Sequence, residues 1–356
     1  MKKFKSIISI ILVIILVLSC FMTSVIAEEI YEEPVVTTVR MMNFNVAGLP
    51  KLDGTDGSGN TAVMAEYINS NNFDIVAVQE DFSYHNSLVS NLNGYNYQTN
   101  FSGNIPGGDG LNVFTKNMPI YNEGRYQWID SYGDISEGDT LTPKGILYSV
   151  IYIGDGIYVD FYDIHADAFD GDGSIRARES NYRQLMALVE ENSKKYNRPI
   201  IITGDFNHFL HAQPEINSNM YSIFHENGGF RDAWIEVHNN GDYFNFSEWF
   251  ETGTSYWGEW DSVEKFLYRN GGGIEIDAVD FKYTWIKNAA DEHTSDHAAA
   301  ECTFQFTKTN DFVEMNQDIE VVKQHPLRNV FNTIKWILKD LYYILSNIDQ
   351  LIDMIK

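Results

Sequence analysis

Several apolar, β-branched runs in this chain end in side chains that bind hard cations or move protons, and this recurrence constrains the fold more than any other feature. Asn43 and Asn45 close the run Thr38 to Asn45, Gln79-Glu80-Asp81 closes Asp74 to Gln79, His165 follows Tyr158 to Ile164, and Gly204-Asp205-Phe206-Asn207 follows Ile200 to Thr203. Later come Asp277, within Ile276-Asp277-Ala278-Val279, and Ser295-Asp296-His297 just ahead of a last alternating run. A single Asn or Asp after a strand ordinarily makes a turn. The same order, apolar strand and then carboxylate or amide, repeated along the chain points to strand ends gathered on one rim.

Between these ends the pattern alternates. Asn60 or Thr61 is placed to cap a short helix running to about Asn71, which gives a strand, helix, strand start. Leu147 to Ile153 and Ile157 to Ile164 flank Gly154-Asp155-Gly156, a hairpin signal, so the sheet is mixed. Ser174 to Tyr196 carries Ile175, Tyr182, Leu185, Leu188 and Val189 near helical spacing, and Pro199 restarts an apolar strand. Further strands are predicted at Ile276–Tyr283 and Ala300–Phe306. No Ser/Pro-rich linker or internal repeat interrupts this pattern, so residues 28–307 read as one α/β domain. A chain of 356 residues that is 44% hydrophobic has ample apolar surface for its core.

The two ends read differently. Lys2, Lys3 and Lys5 precede an uncharged run from Ile7 to Ile26, and Val25-Ile26-Ala27 supplies a cleavage-like end, so residues 1–27 are expected to be a signal peptide and the protein to be secreted or held at the cell surface. An uncleaved anchor and lipidation at Cys20 are the alternative readings. After such cleavage only Cys302 remains, which excludes an internal disulfide and a multi-cysteine zinc site. Residues 308–356 read as a linker and an amphipathic helix with Val330, Ile334, Ile337, Leu341, Ile344, Ile348, Leu351 and Ile355 on one seam. That helix has three candidate partners: its own domain, a second copy or a lipid interface. The chain carries 50 acidic against 25 basic residues, a balance that opposes nucleic acid and anionic membranes at long range.

The polar set suits phosphate-ester hydrolysis. A hard divalent cation takes oxygen ligands, the attacking water needs a base, and crowded negative charge needs positive donors. There is no Gly-x-Ser-x-Gly elbow and no Walker loop. Phe44-Asn45-Val46-Ala47-Gly48-Leu49, Val78-Gln79-Glu80, Asp163-Ile164-His165, Gly204-Asp205-Phe206-Asn207, Ile276-Asp277 and Ser295-Asp296-His297 resemble, in order, the motifs of the endonuclease/exonuclease/phosphatase superfamily. The resemblance implies a four-layered α/β sandwich, two mixed β-sheets face to face with helices outside. It also implies Mg²⁺, with Mn²⁺ or Ca²⁺ as alternatives, held by Glu80 with Asn45 and Asp296. Asp205 is then expected to orient or deprotonate water, Asn207 to hold that water or a phosphate oxygen, and His297 to stabilise transition-state charge. Asp277 is expected to orient His297, with Asp280 as its rival, and His165 to serve the leaving oxygen.

Glu80-Asp81-Phe82-Ser83-Tyr84-His85 and Gly108-Asp109-Gly110-Leu111-Asn112 resemble a secreted bacterial and fungal group, which makes His85 and Asn112 candidate substrate contacts; packing on its own helix is the other reading for His85. Tyr243 to Trp260 is dense in aromatics and fits a buried subcluster, a lipid-engaging hairpin or a stacking platform. Few cations lie close to it, so a neutral headgroup suits it better than nucleic acid. The expectation is a secreted phospholipase C-type phosphodiesterase acting on a phospholipid such as sphingomyelin. An extracellular endonuclease comes second, and a non-enzymatic surface protein with a degenerate domain third.

Overall fold

In the computed structural model, Val36–Asn45 (β1), Ser58–Asn71 (α1) and Ile75–Gln79 (β2) form a strand, helix, strand unit whose strands run parallel, Asn45 opposite Gln79. A crossover is what parallel neighbours need. His85–Asn91 (α2) follows. A second such unit is Ile157–His165 (β7), Asp172–Tyr196 (α3) and Ile200–Asp205 (β8), with His165 opposite Asp205. The structure describes residues 14, 34–49, 57–105, 107–132, 142–209, 219–243, 261–314 and 319. Contacts divide the chain into Met1–Val35 and Val36–Lys356, and every strand among the described residues lies in the second unit.

The remaining strands are Tyr97–Gln98 (β3), Asn112–Thr115 (β4), Ile120–Gln127 (β5), Gly145–Gly154 (β6), Arg231–Asp232 (β9), Glu264–Arg269 (β10), Ile274–Thr284 (β11) and Ala299–Lys308 (β12). They build two six-stranded sheets, in the orders β11-β12-β1-β2-β4-β3 and β5-β6-β7-β8-β10-β9. Each sheet is mixed, with one parallel pair among antiparallel neighbours. The expected hairpin is β6 to β7, turned by Asp155 and Gly156, both in the left-handed region.

The period-two alternation of side chains assigns the layers. Met41 and Ala77 of the first sheet meet Leu147, Phe161, Ile201 and Phe266 of the second in a core between the sheets. Met42 and Phe44 face outward onto Met64, Ala65 and Ile68 of α1, while Ile164 and Ile202 face Leu185 and Val189 of α3. The result is the four-layered α/β sandwich that the motifs implied. One local reading differs. The first helix starts at Ser58 without a side-chain cap, so Asn60 and Thr61 lie in its first turn. Asn60 instead donates to the Thr294 carbonyl at 3.3 Å, holding the loop ahead of β12.

The leader expected over residues 1–27, Ile14 apart, lies outside the described residues. So do the rest of the aromatic stretch, from Phe244 to Trp260, and the helix expected over 330–355. Among the described residues no helix is long and apolar enough to cross a membrane.

Candidate functional site

The C-terminal ends of β1, β2, β7 and β8 come together on one rim, and β10, antiparallel to β8, enters it by its N-terminus with Glu264 opposite Asp205. Asp205 is the hub. Its Oδ2 accepts a hydrogen bond from Asn45 Nδ2 at 3.1 Å and lies 3.4 Å from His165 Nε2 and 3.9 Å from His297 Nδ1. Its Oδ1 accepts from the Asn207 backbone N–H at 2.8 Å. Asn45 Nδ2 also donates to Glu80 Oε1 at 3.0 Å, so one amide joins two carboxylates.

The loops that present these groups are tightly constrained. Ala47, Glu80 and Asn207 all have positive φ, at 46°, 55° and 50°, a conformation that concentrates at functional sites. The Gly48 N–H donates to the Glu80 carbonyl at 3.0 Å, and a Cβ on Gly48 would stand 2.4 Å from that oxygen. Glycine is therefore required where β1's exit loop crosses the turn carrying Glu80. On the far side, the Ser295 hydroxyl donates to the Asn45 carbonyl at 2.7 Å and accepts the His297 N–H at 3.1 Å, tying the loop before β12 to β1.

Electrostatics divides the two histidines. Burial opposes charge on His297, but Glu264 Oε1 at 2.5 Å from its Nδ1, with Asp205 and Asp296 nearby, carries its pKa up to about 10, so the ring is an imidazolium at neutral pH. The other Glu264 oxygen accepts from the Ser262 hydroxyl, and Glu264 is fully buried. His165 goes the other way. Burial, then the cations Lys144 and His297, push it well below its ordinary value, leaving a neutral ring. Burial works against ionised Asp205, yet the cations His297 and Lys144 and the Asn45 hydrogen bond bring its pKa below the ordinary carboxylate value.

Glu80 is placed to hold a cation. Burial raises its pKa against the pull of Asn45, Lys144 and His297, and it has no ion-pair partner among the described residues. A carboxylate in that position gains most from a bound hard cation, and the oxygens of Glu80, Asn45 and Asp296 are the donors such a cation prefers. Asp296 is exposed and, with Glu80, lines a cleft of about 540 Å³ whose walls include Val46, Met64 and Tyr84. Asp205, Glu264 and His297 also bring one ligand atom each within 4.8 Å of the others. The His297–Glu264 ion pair already occupies two of the three.

Asp277 does not reach His297. It lies exposed on β11, where it faces Arg231 at 3.4 Å, because the polar alternation of that sheet-edge strand points it outward. Asp280 is exposed on the same strand, and Glu264 holds the position expected of either. His85 and Asn112 are buried and neither lines the cleft. Both donate toward Asp81 Oδ2, at 2.6 Å and 2.9 Å, and His85 stacks on Phe101 at 3.9 Å, so they brace the residue after Glu80. Asn207 Nδ2 donates to the Ala166 carbonyl at 3.0 Å, beside His165. Glu264 and Lys144 are the groups that sequence reading passed over. Both stand at the N-terminal side of antiparallel strands, whereas most of the motifs close a strand.

A model described as the Endonuclease/Exonuclease/phosphatase family matches residues 42–269. The sphingomyelinase of Mycobacterium tuberculosis is 26% identical over 286 residues, covering 76% of this chain and 53% of that protein. The chain thus spans about half the length of the curated relatives it matches. Among solved structures, an endonuclease/exonuclease/phosphatase family protein from Bacteroides thetaiotaomicron aligns with a TM-score of 0.55 at 16% identity, covering 77% of this chain and 96% of that one. A mutant beta toxin from Staphylococcus aureus with bound magnesium ions gives 0.52 at 16% identity, covering 75% and 99%.

Proposed function

Because the chain belongs to the endonuclease/exonuclease/phosphatase family, we propose that it is a metal-dependent phosphoric ester hydrolase whose substrate is a phospholipid such as sphingomyelin, cut in the phospholipase C manner. The observation that carries this reading is Asp205, buried and ionised between a neutral and a cationic imidazole and joined through Asn45 to Glu80.

Each residue then has a task. Asp205 orients the attacking water and takes its proton. His297, held cationic by Glu264, faces the negative charge that develops on the phosphoryl oxygens. His165 starts neutral, so it offers a hydrogen bond to the leaving oxygen and passes on a proton only after receiving one. Asn207 steadies the water or a phosphoryl oxygen. Glu80, Asn45 and Asp296 would hold Mg²⁺, or Mn²⁺ or Ca²⁺ in its place, and the bound ion would neutralise phosphate charge.

Two observations favour lipid over nucleic acid: the net charge of −25, which repels a polyanion, and the name of the mycobacterial relatives. Export rests on the leader-like residues 1–27. The test is purified protein with Mg²⁺ on sphingomyelin vesicles, plasmid DNA and inositol phosphates side by side. Release of phosphocholine is the expected result. Nicked plasmid instead would assign an endonuclease, and no cleavage of any ester with Mg²⁺, Mn²⁺ or Ca²⁺ would overturn the proposal.

A further inference from the structure

Just beneath the catalytic rim a buried polar chain joins the two sheets. Asn43 Nδ2 donates to the Gly204 carbonyl at 2.9 Å, and Gln79 Nε2 donates to Asn43 Oδ1 at 2.7 Å and to Asp163 Oδ1 at 2.6 Å. Its members precede Asn45, Glu80, His165 and Asp205 by one or two residues on the same strands. Asn43, Gln79 and Asp163 are each fully buried. Within this network two buried oxygens accept no hydrogen bond from the described residues, Gln79 Oε1 and Asp163 Oδ2, the remaining atoms of the two groups that already meet at 2.6 Å.

If Asp163 were a carboxylate, both orphans would be buried acceptors and one would carry charge, an arrangement that native interiors avoid. A proton on Asp163 converts one orphan into a donor and leaves the other as its acceptor, so acid and amide can pair through two hydrogen bonds. We propose that Asp163 is a neutral carboxylic acid at physiological pH and, paired with Gln79, is a positioning residue that sets the spacing of the strands bearing Asn45, Glu80, His165 and Asp205.

The charges around Asp163 agree with this assignment. Burial pushes its carboxyl well above the ordinary range; the Gln79 hydrogen bond, Arg125 and the Ile164 backbone N–H pull it back, Asp109 pushes it further, and burial outweighs the rest. Arg125 is committed elsewhere, to Asp109 at 2.6 Å and Glu123 at 2.9 Å. Only the kinetic part of the inference rests on the proposed hydrolase activity.

The test is Asp163→Asn, whose amide reproduces the donor and acceptor of the neutral acid. Infrared difference spectra at pH 7 between parent and D163N should show the carbonyl stretch of a protonated carboxylic acid in the parent alone. A second readout is thermal stability. A native carboxyl with a raised pKa must take up a proton on folding above the unfolded value of ~3.9. The melting temperature of D163N should therefore gain on the parent progressively from pH 4 to pH 7. Absence of the acid band, or a difference that is flat with pH, would overturn the assignment, and neither readout needs a substrate. Should D163N not fold, Gln79→Met serves: the acid band must persist at pH 7 but shift in frequency, and its absence there would equally overturn the proposal. For the positioning role, D163N should keep kcat and KM within about threefold, whereas Asp163→Leu should lower kcat at least about tenfold with little change in KM; equal activity of D163L would refute it.

Discussion

Replacing Glu264 by Gln should convert His297 from a permanent cation into a group that titrates near neutrality. In the native site burial draws the His297 pKa down, and Glu264 at 2.5 Å, aided by Asp205 and Asp296, more than reverses this to reach about 10. Glutamine keeps the shape and the contact with Ser262 but removes the charge. With Asp205 and Asp296 left to offset burial, a pKa back at ~6.5 is a fall of about 3.5 pH units, or on the order of 5 kcal/mol of imidazolium stabilisation. The protonated fraction at pH 8 then drops from nearly all to about 3%. If the imidazolium stabilises the transition state, kcat/KM on a soluble phosphodiester should fall ~30-fold at pH 8 and return to within about threefold of the parent at pH 5.5. The assay is the variant-to-parent ratio measured across that range, with the His297 ring followed by NMR titration. A ratio that does not change with pH, or an unmoved His297 titration, would refute the reasoning.

Other consequences follow from the same geometry. Asp277→Ala removes an exposed contact with Arg231, so it should cost under ~1 kcal/mol by urea unfolding and leave kcat within about twofold. Gly48→Ala puts a methyl against the Glu80 carbonyl and should cost roughly 1–3 kcal/mol, with weakened metal affinity by titration calorimetry. The raised pKa of His297 means that its contribution to stability is whole below ~6.5 and is lost as pH rises through about 10. The urea midpoint of the parent should therefore fall between pH 7 and pH 10 by more than that of His297→Asn.

Much of the fold was legible because each parallel pair follows a visible strand, helix, strand order, and because β7 and β8 carry long β-branched runs whose ends are polar. Asn45, Glu80, His165, Asp205 and His297, which the fold brings together, stand out in the sequence for a related reason: four close or follow a strand, and the fifth sits in the loop that enters β12. Glu264 escaped because it opens a strand. The rim is built from C-terminal ends of parallel strands and N-terminal ends of their antiparallel neighbours, and only three-dimensional register reveals the second kind. Asp277 misled because a carboxylate inside an apolar run resembles a buried ligand, yet on the edge strand β11 the alternation turns it to solvent. Asn112 shows the reverse case. It is a polar residue in a fully buried strand, and it serves Asp81 from within the protein.

The central claim concerns the meeting of strand ends at Asp205, and its most direct measurement is turnover by Asp205→Asn under saturating Mg²⁺, beside a circular dichroism melt of the same sample. The expected result is a loss of at least about a thousandfold in phosphodiester hydrolysis with a native spectrum and a melting temperature close to that of the parent. Hydrolysis at the parental rate by a folded D205N protein would contradict it.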